Sequence, residues 1–490
     1  MKPLPLFLAL GMSLSPLHAA PTPSASSAPA ELDRSHPPKA GPLPEVALPK
    51  TVSETLPNGL RLVVLPDHRQ PTVTYRLLIR SGALYDGDSP GLADLCANLL
   101  NKGTTTLSAE EFASKTDFLG ISVEASASDD AIAVMAFGLA NYQKEILGFL
   151  RDAVLSPAFL AAEIDKEKRT TISELIANNA DPSDLAARLR NRLLYGKHPY
   201  GAFPTPESVK AIRRDQLVAF HRTQFLPNHA MLAIVGDVDP QKALAEAKAA
   251  FDDWEKGEIP EAELTAFPTV KGVTIHLVDR PASVQSNILV AMPGVPRNNS
   301  DFPELQVVNS VLGGGFSGRL FSNLRERHGY TYGSYSGFGS RKLGGAFSAV
   351  AQVRNEVTAA ATKEIFNELR RLRDSLIPET ELELQRTYLA GNYLISLENN
   401  RRIAERIQEI DLYDLPADYW ETYARRLTGV TPQKAEELAR QYIDPENLVV
   451  VVVGKAQEVR EQLEGLGPVT VYDTDLNPVS EKPAEKPAKQ

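Results

Sequence analysis

A short amphipathic stretch near residue 95 carries the first side chains that could do chemistry. Apolar residues recur there at i, i+3, i+4, i+7 and i+8, which predicts a helix over residues 90–101 with Cys96 on its buried face. Asp94, Ala97 and Asn98 fall on another face. Asp94 offers a carboxylate oxygen to a metal ion, Asn98 only a weak amide oxygen, and Ala97 nothing. Because Cys96 belongs to the apolar face, we do not expect a thiolate ligand.

Residues 312–333 form a second stretch with chemical promise, in which three consecutive glycines precede several arginines and tyrosines. Glycines can cradle phosphate, but a phosphate-binding loop also needs Gly-Lys-Ser or Gly-Lys-Thr at a fixed spacing. The stretch has no such sequence. Its glycines therefore favour a tight turn between two helices, where a Cβ would be costly.

Composition limits the kinds of function. The chain has 52 Lys and Arg against 62 Asp and Glu, a net charge of −10, so nucleic-acid binding is not expected. Its one cysteine, Cys96, excludes intrachain disulfides and cysteine-rich metal modules.

The two ends are predicted to lie outside the fold. Residues 1–20 have the form of a secretory signal peptide, although an uncleaved anchor stays open. Residues 21–49 read as a disordered Pro/Ala/Ser spacer, and residues 473–490 as a disordered tail. No other apolar window is long enough for a transmembrane helix. These features predict a periplasmic location.

The elements that must position these residues occur twice. The buried strand that ends at Gly236 returns in the strand that ends at Gly454, 218 positions later. Each is preceded by two strands, two helices, two strands and a group of helices, which predicts an α+β fold. We expect two homologous domains, 50–255 and 269–472, each with a mainly antiparallel sheet packed with helices, and a linker at 256–268. The helices of interest are predicted at 90–101, 108–118, 302–312 and 317–328.

The run from Gly91 to Thr104 resembles the zinc helix of the insulinase/pitrilysin-type (inverzincin) metallopeptidases. That family places H-x-x-E-H in this frame, followed by Lys-Gly and Thr. Other segments also look like the family, namely Leu56–Leu65, Arg80–Ala83, Gly196–Gly201 and Val235–Asp237. The resemblance covers both halves and implies their shared fold.

The zinc frame itself is degenerate. Asp94, Ala97 and Asn98 stand where the family has histidine, glutamate and histidine. A catalytic zinc needs about three protein ligands and a water, and the missing glutamate is the general base. The resemblance places the family's third ligand at Glu174, with Glu167 as a supporting acid. Without the histidines, both carboxylates are expected to be solvated, and we expect no metal on this chain.

The glycine-rich stretch resembles the C-terminal domain of the same peptidases, with a Gly-rich turn, Ser-x-Arg-Leu-Phe, Leu-Arg and Gly-x-x-Tyr in order. The resemblance implies that Arg325 and Tyr332 bind the substrate backbone in a neighbouring zinc-bearing domain and stabilise the oxyanion. A guanidinium and a neutral phenol both suit developing negative charge. Outside the family frame, they would be a solvated helix arginine and an ordinary strand tyrosine.

Together, the resemblance implies a zinc-free subunit that pairs with a zinc-bearing homologue and encloses unfolded peptides. Zinc is then expected on the partner, and substrate contacts from Arg325 and Tyr332 in trans. Two alternatives of the same fold remain, a non-enzymatic scaffold and a homodimer that only binds peptides. A third, less favoured, is a self-sufficient hydrolase using Asp94 and Glu174 around another metal.

Overall fold

The computed structural model describes residues 50–259 and 261–479, whose strands assemble into two six-stranded sheets. The predicted signal peptide at 1–20 and spacer at 21–49 lie outside the described residues, as do residues 480–490. The described residues belong to one compact unit. Among them, no helix has the length and apolarity that a membrane crossing requires.

The N-terminal sheet has the order β1-β2-β6-β3-β5-β4. Its strands β2 and β6 are parallel, and the other neighbours are antiparallel. The strands are β1 (Val52–Thr55), β2 (Arg61–Pro66), β3 (Thr72–Ile79), β4 (Ser122–Ala127), β5 (Ile132–Leu139) and β6 (Ala230–Gly236).

The helices of this half lie in the two long connections of its sheet, except α8, which follows β6. They are α1 (Leu92–Leu99), α2 (Ala109–Leu119), α3 (Gln143–Leu155), α4 (Ala161–Asn178), α5 (Pro182–Tyr195), α6 (Pro206–Ala211), α7 (Arg214–Gln224) and α8 (Pro240–Phe251). Helix α2 begins with a capping box, in which Glu111 N donates to Ser108 Oγ and Ser108 N donates to the Glu111 carboxylate.

The C-terminal sheet repeats the arrangement with the order β12-β7-β11-β8-β10-β9. Its strands are β7 (Val273–Asp279), β8 (Gln285–Pro293), β9 (Thr331–Phe338), β10 (Ala346–Arg354), β11 (Leu448–Gly454) and β12 (Val469–Tyr472). Its helices are α9 (Phe302–Gly313), α10 (Arg319–Phe321), a π-helical turn (Ser322–Arg327), α11 (Thr358–Asp374), α12 (Glu379–Ser396), α13 (Asn400–Leu412), α14 (Tyr419–Thr428), α15 (Pro432–Tyr442) and α16 (Ala456–Glu464).

The predicted α+β class is confirmed, and the 218-residue repeat extends to the helices. Helices α4 and α12 are both 18 residues long and begin 218 positions apart, as do α5 and α13. One predicted helix is wrong in form. Residues 317–328 are not a continuous α-helix, because α10 passes into the wider π turn. That turn buries Asn323 and Leu324 and leaves Arg325 exposed.

Each sheet is covered on one face by helices of its own half and on the other by a helix of the opposite half. Leu185 and Leu189 of α5 pack in one cluster with strands β8 and β11 of the C-terminal sheet. In return, Ile403 and Ala404 of α13 pack against β2 and β6 of the N-terminal sheet. The two halves therefore complete each other's cores.

The cover on the N-terminal sheet is also hydrogen-bonded. Gln408 of α13 is fully buried, and its Nε2 donates to Arg76 O (2.6 Å) and Met231 O (2.9 Å) on β3 and β6. Its Oε1 accepts from the Arg76 guanidinium. A buried amide with all these partners fixes the position of α13 on the sheet.

Packed residues extend past both predicted domain ends. Phe267, in the predicted linker, contacts the rings of Tyr195 and His198. Beyond residue 472, Leu476 is buried, its O accepts from Arg192 (2.8 Å), and Val479 N donates to Val471 O. Within the described residues, packing and hydrogen bonding therefore extend beyond the predicted domain end at residue 472.

A polar clamp joins the halves near the β4–β5 turn. Asp130 accepts a hydrogen bond from the Tyr200 hydroxyl and one from Lys342 N (2.9 Å), which lies in the β9–β10 loop. Beside it, Asp129 pairs with Arg341 (2.7 Å), whose guanidinium lies 4.7 Å from the Tyr200 ring centroid. Asp130 and Tyr200 are buried and the ion pair beside them is half-buried, so loss of one partner would leave a buried polar group unsatisfied.

We predict that Tyr200→Phe lowers the free energy of unfolding by about 1–3 kcal/mol, because it removes a donor from buried Asp130 and leaves Leu343 N without its acceptor. Urea unfolding measures the change. Tyr442→Phe is the matched control, since Tyr442 also donates to a carboxylate, Asp301 (2.8 Å), but within one half. Equal falls in the free energy of unfolding of the two variants would show that the hydrogen bonds of the clamp stabilise the protein no more than a hydrogen bond within one half.

Candidate functional site

The helix that carries the degenerate frame begins at Leu92 and not at residue 90. Its start is held by Asp86, whose carboxylate accepts from Gly91 N (2.7 Å) and Ala93 N (2.8 Å). Gly91 has φ of 97°, a conformation that favours glycine. Ser89, another residue with a capping side chain, instead accepts from the Gln216 side chain. Asp86 presents one carboxylate oxygen to each of the two N–H groups and takes the capping role.

The three positions of the frame have different environments. Asp94 is half-buried, Ala97 is buried, and Asn98 is exposed to solvent. Cys96 is fully buried in the N-terminal core, as its place in the apolar stripe predicted, and burial raises the pKa of its thiol. Only Asp94 therefore combines an ionisable group with a protected environment.

Asp94 is held in a setting that disfavours its charge. Burial, and then repulsion from Asp129, raise its pKa to about 6. Asp129 is itself half-buried and pairs with Arg341 from the C-terminal half. The start of α1 thus lies next to the clamp between the halves. The sequence of α1 alone does not predict this proximity. The acidic pair at 129–130, in a turn between two predicted strands, was the available clue.

The predicted third ligand does not complete a metal site. Glu174 lies exposed on α4, and Glu167, about two helical turns earlier on the same face, is half-buried. Within residues 50–259 and 261–479, no group of three or more His, Cys, Asp or Glu side chains is placed to hold a metal ion. Zinc in a catalytic site needs about three nitrogen, sulfur or carboxylate donors. The residues at this position do not fit that requirement.

The glycine-rich turn of the other half is tightly packed. A Cβ at Gly313 would stand 2.5 Å from Ser336 N on β9, and one at Gly314 would stand 2.6 Å from Ser310 Oγ. These glycines are needed for close approach of the backbone to strand β9 and helix α9, and this close packing agrees with the structural role predicted for them.

Arg325 and Tyr332 meet at the edge of the C-terminal sheet. Arg325 Nη1 donates to Tyr332 O (2.8 Å), and the guanidinium carbon lies 5.5 Å from the Tyr332 ring centroid and 4.9 Å from that of Phe321. Both side chains are exposed, and Tyr332 is 87% exposed. One of the five guanidinium N–H groups of Arg325 thus donates within the protein. This bond orients the guanidinium and leaves other N–H groups able to bind a ligand.

Two features of this surface were not predicted. Phe316, within the glycine-rich turn, is 69% exposed and packs edge-on against Phe321 (5.0 Å). An aromatic residue among glycines was the signal in the sequence. Asn309 Nδ2 donates to Ser336 O (3.0 Å), so three carbonyls of edge strand β9 already accept side-chain hydrogen bonds, from Asn309, Arg325 and Thr331. These bonds protect the edge from pairing with another strand.

Fold and site together define a peptidase-like protein of two homologous halves, in which the metal-binding position is lost. A family model described as "Insulinase (Peptidase family M16)" matches residues 61–203, and one described as "Peptidase M16 inactive domain" matches residues 211–389. The chain belongs to the insulinase family, peptidase family M16, and lacks that family's zinc motif.

Relatives and solved structures agree with this assignment. The chain is 25% identical over 399 residues to an uncharacterized zinc protease of Streptomyces coelicolor, covering 79% of this chain and 86% of the relative. It matches a crystal structure of a peptidase M16 inactive domain from Pseudomonas fluorescens with a TM-score of 0.77 and 26% identity, covering 82% and 98% of the two chains. It also matches the periplasmic protease PqqL of Escherichia coli with a TM-score of 0.70 and 17% identity, over 86% of this chain and 49% of that one.

We predict that Asp94→Asn stabilises the protein at neutral pH. The raised pKa means that the folded state binds the proton more tightly than the unfolded chain, so stability is lost as pH rises from about 4 through about 6. Asparagine removes this loss. The gain in unfolding free energy should be about 1–3 kcal/mol at pH 7.5 and smaller by about half at pH 5.

Asp86→Asn is the matched control, because burial raises the pKa of Asp86 to about 7 but its carboxylate holds two backbone N–H groups. An amide offers a single oxygen, so this variant should be destabilised at both pH values. Urea titrations at the two pH values measure both variants. A loss of stability in Asp94→Asn at pH 7.5 would contradict the assignment of Asp94 as a carboxylate whose charge is disfavoured in the folded state.

Proposed function

We propose that this chain is an exported, zinc-free subunit of the M16 family that pairs with a zinc-bearing homologue. The observation that carries the proposal is the contrast between its two halves. Helix α1 has no histidine at Asp94 or Asn98 and no general base at Ala97, whereas the C-terminal half presents Arg325 and Tyr332 together and exposed. The chain contributes substrate contacts, and its partner contributes the metal and the general base.

The two side chains suit the task of binding a peptide during hydrolysis. Arg325 carries a permanent charge, and its guanidinium is oriented by its bond to Tyr332 O and by the Phe321 ring. The exposed Tyr332 hydroxyl is a neutral donor. Oriented donors that face the developing oxyanion need little reorganisation when the peptide bond is attacked.

A larger structural neighbour supports the proposed partner. This chain matches about half of the longer PqqL chain, and it also matches a structure of the first half of PqqL with a TM-score of 0.67. A second fold of the same kind, supplied by the proposed partner, would enclose a chamber. An enclosed chamber admits unfolded peptides and excludes folded domains.

Export rests on residues 1–20, whose pattern is that of a signal peptide. The periplasmic location stated for PqqL supports the same compartment for this chain. The single, fully buried Cys96 is compatible with an oxidising compartment, since it offers no exposed thiol.

We predict that Arg325→Ala and Tyr332→Phe each lower kcat/KM for peptide hydrolysis by the mixed complex. Loss of one oxyanion donor costs about 2.7–4 kcal/mol of transition-state stabilisation, which corresponds to a fall of about 10²–10³-fold. The zinc content of the partner should stay unchanged, because neither residue belongs to the metal site.

Arg327→Ala is the matched control, since Arg327 is an exposed arginine in the same π turn. It should leave kcat/KM within about twofold. The thermal midpoint of each variant checks that the bond between Arg325 and Tyr332 O is not simply a stabilising contact. Unchanged kinetics in Arg325→Ala and Tyr332→Phe would refute the trans role.

A further inference from the structure

A buried amide bonds the π turn to helix α11. Asn323, two residues before Arg325, is 3% exposed. Its Nδ2 donates to Glu364 Oε2 (2.9 Å) and to Glu368 Oε1 (2.7 Å), so both N–H groups of the amide are used on α11. The Asn323 backbone also closes the turn, because its O accepts from His328 N (3.1 Å), five residues later. The residue that widens the turn is therefore also the residue that holds it on α11.

This network is not one that stability alone would select. Glu368 is 3% exposed, and burial of a carboxylate is costly unless its oxygens are paired. Glu368 Oε2 lies 3.5 Å from Arg371 Nη1 but accepts no hydrogen bond from any residue that the structure describes, and neither does the buried Asn323 Oδ1. Buried polar atoms in this state lower the free energy of unfolding. Local costs of this kind are typical of functional positions.

The repeat shows that the fold can make this contact with apolar residues. In the N-terminal half, α2 precedes edge strand β4 and packs on α3, as the π turn precedes edge strand β9 and packs on α11. The contact there is between Phe112 and Phe149, whose ring centroids lie 5.2 Å apart. Helix α2 is a regular α-helix over Ala109–Leu119. The buried amide and the wide turn therefore occur in the half that presents Arg325, where an apolar contact would suffice for packing.

We propose that Asn323 is a positioning residue for Arg325. It keeps the π turn wide, and the wide turn directs the Arg325 guanidinium to Tyr332 O and to the Phe321 ring. Without its bonds to α11, the turn returns to regular i→i+4 bonding, which rotates Arg325 about the helix axis and away from Tyr332 O. The functional consequence rests on the proposed role of Arg325, whereas the orientation of its guanidinium does not.

Kinetics of the mixed complex test the functional consequence. Asn323→Ala should lower kcat/KM for peptide hydrolysis by about 10–10²-fold, mostly through kcat, because a misdirected donor fails in the transition state. When Arg325→Ala is already present, adding Asn323→Ala should cost less than about a further twofold, because Asn323 acts through Arg325. Equal falls in the two backgrounds would overturn the positioning role.

Ser322→Ala is the matched control. Ser322 is an exposed residue of the same turn, and its Oγ donates to Glu326 (2.8 Å), so this variant also removes a side-chain hydrogen bond from the turn. It should leave kcat/KM within about twofold. A fall equal to that of Asn323→Ala would assign the effect to the turn as a whole and would contradict a specific role of Asn323.

A second variant separates positioning from stability. Asn323→Leu with Glu368→Leu replaces the buried polar pair by an apolar contact like that between α2 and α3, while the half-buried Glu364 keeps its bond from Asn367 (3.1 Å). The thermal midpoint should therefore equal or exceed that of the native chain. The activity of the mixed complex should nevertheless stay as low as with Asn323→Ala. Return of activity together with stability would show that Asn323 is only a structural residue.

The orientation of Arg325 can be measured without the partner. In a crystal structure of the Asn323→Leu/Glu368→Leu chain, residues 322–327 should have α-helical bonding, and Arg325 should no longer donate to Tyr332 O. Retention of that bond would overturn the proposal, whatever the activity. Unchanged kinetics in Arg325→Ala would instead refute the trans role, and the crystal structure would still decide whether Asn323 directs Arg325.

Discussion

The requirement that both faces of each sheet be covered governs this molecule. Each half supplies helices for one face only, and α5 and α13 are exchanged to cover the other. A half on its own would expose Val449 and Val451 on one sheet or Leu65 and Val235 on the other. The exchange therefore binds the halves into one unit, and it holds α1 and the β9 edge on a common support.

Much of this fold is encoded in local patterns, because strand alternation, capping residues and the 218-residue repeat are local signals. The helix exchange is not local, since the apolar face of α5 has the same pattern whichever sheet it covers. The short edge strands β1 and β12 were missed because they are half exposed and lack a clear period. The π turn was missed because its sequence permits a regular helix, and burial of Asn323 and Leu324 selects the wider form.

The candidate site, like the fold, could be predicted from the sequence only in part. Residue types were enough to show that Asp94, Ala97 and Asn98 cannot replace two histidines and a glutamate. Residue types could not show that Asp94 lies near enough to Asp129 to be repelled by its charge. That interaction links α1 to a turn distant in sequence, and Asp129 in turn pairs with Arg341 of the other half. Nor could residue types show that Arg325 is already bonded to Tyr332 O. The repeat thus kept one scaffold in both halves while their surface chemistry diverged.

The central claim is that this chain completes a peptidase without holding its metal. The most direct measurement is peptide hydrolysis by the purified chain alone and mixed with a zinc-motif homologue from the same genome, with zinc counted in each sample. The account predicts hydrolysis that rises sharply in the mixture, with zinc only in the homologue. Hydrolysis together with bound metal in this chain alone would contradict it, as would a mixture no more active than the homologue by itself.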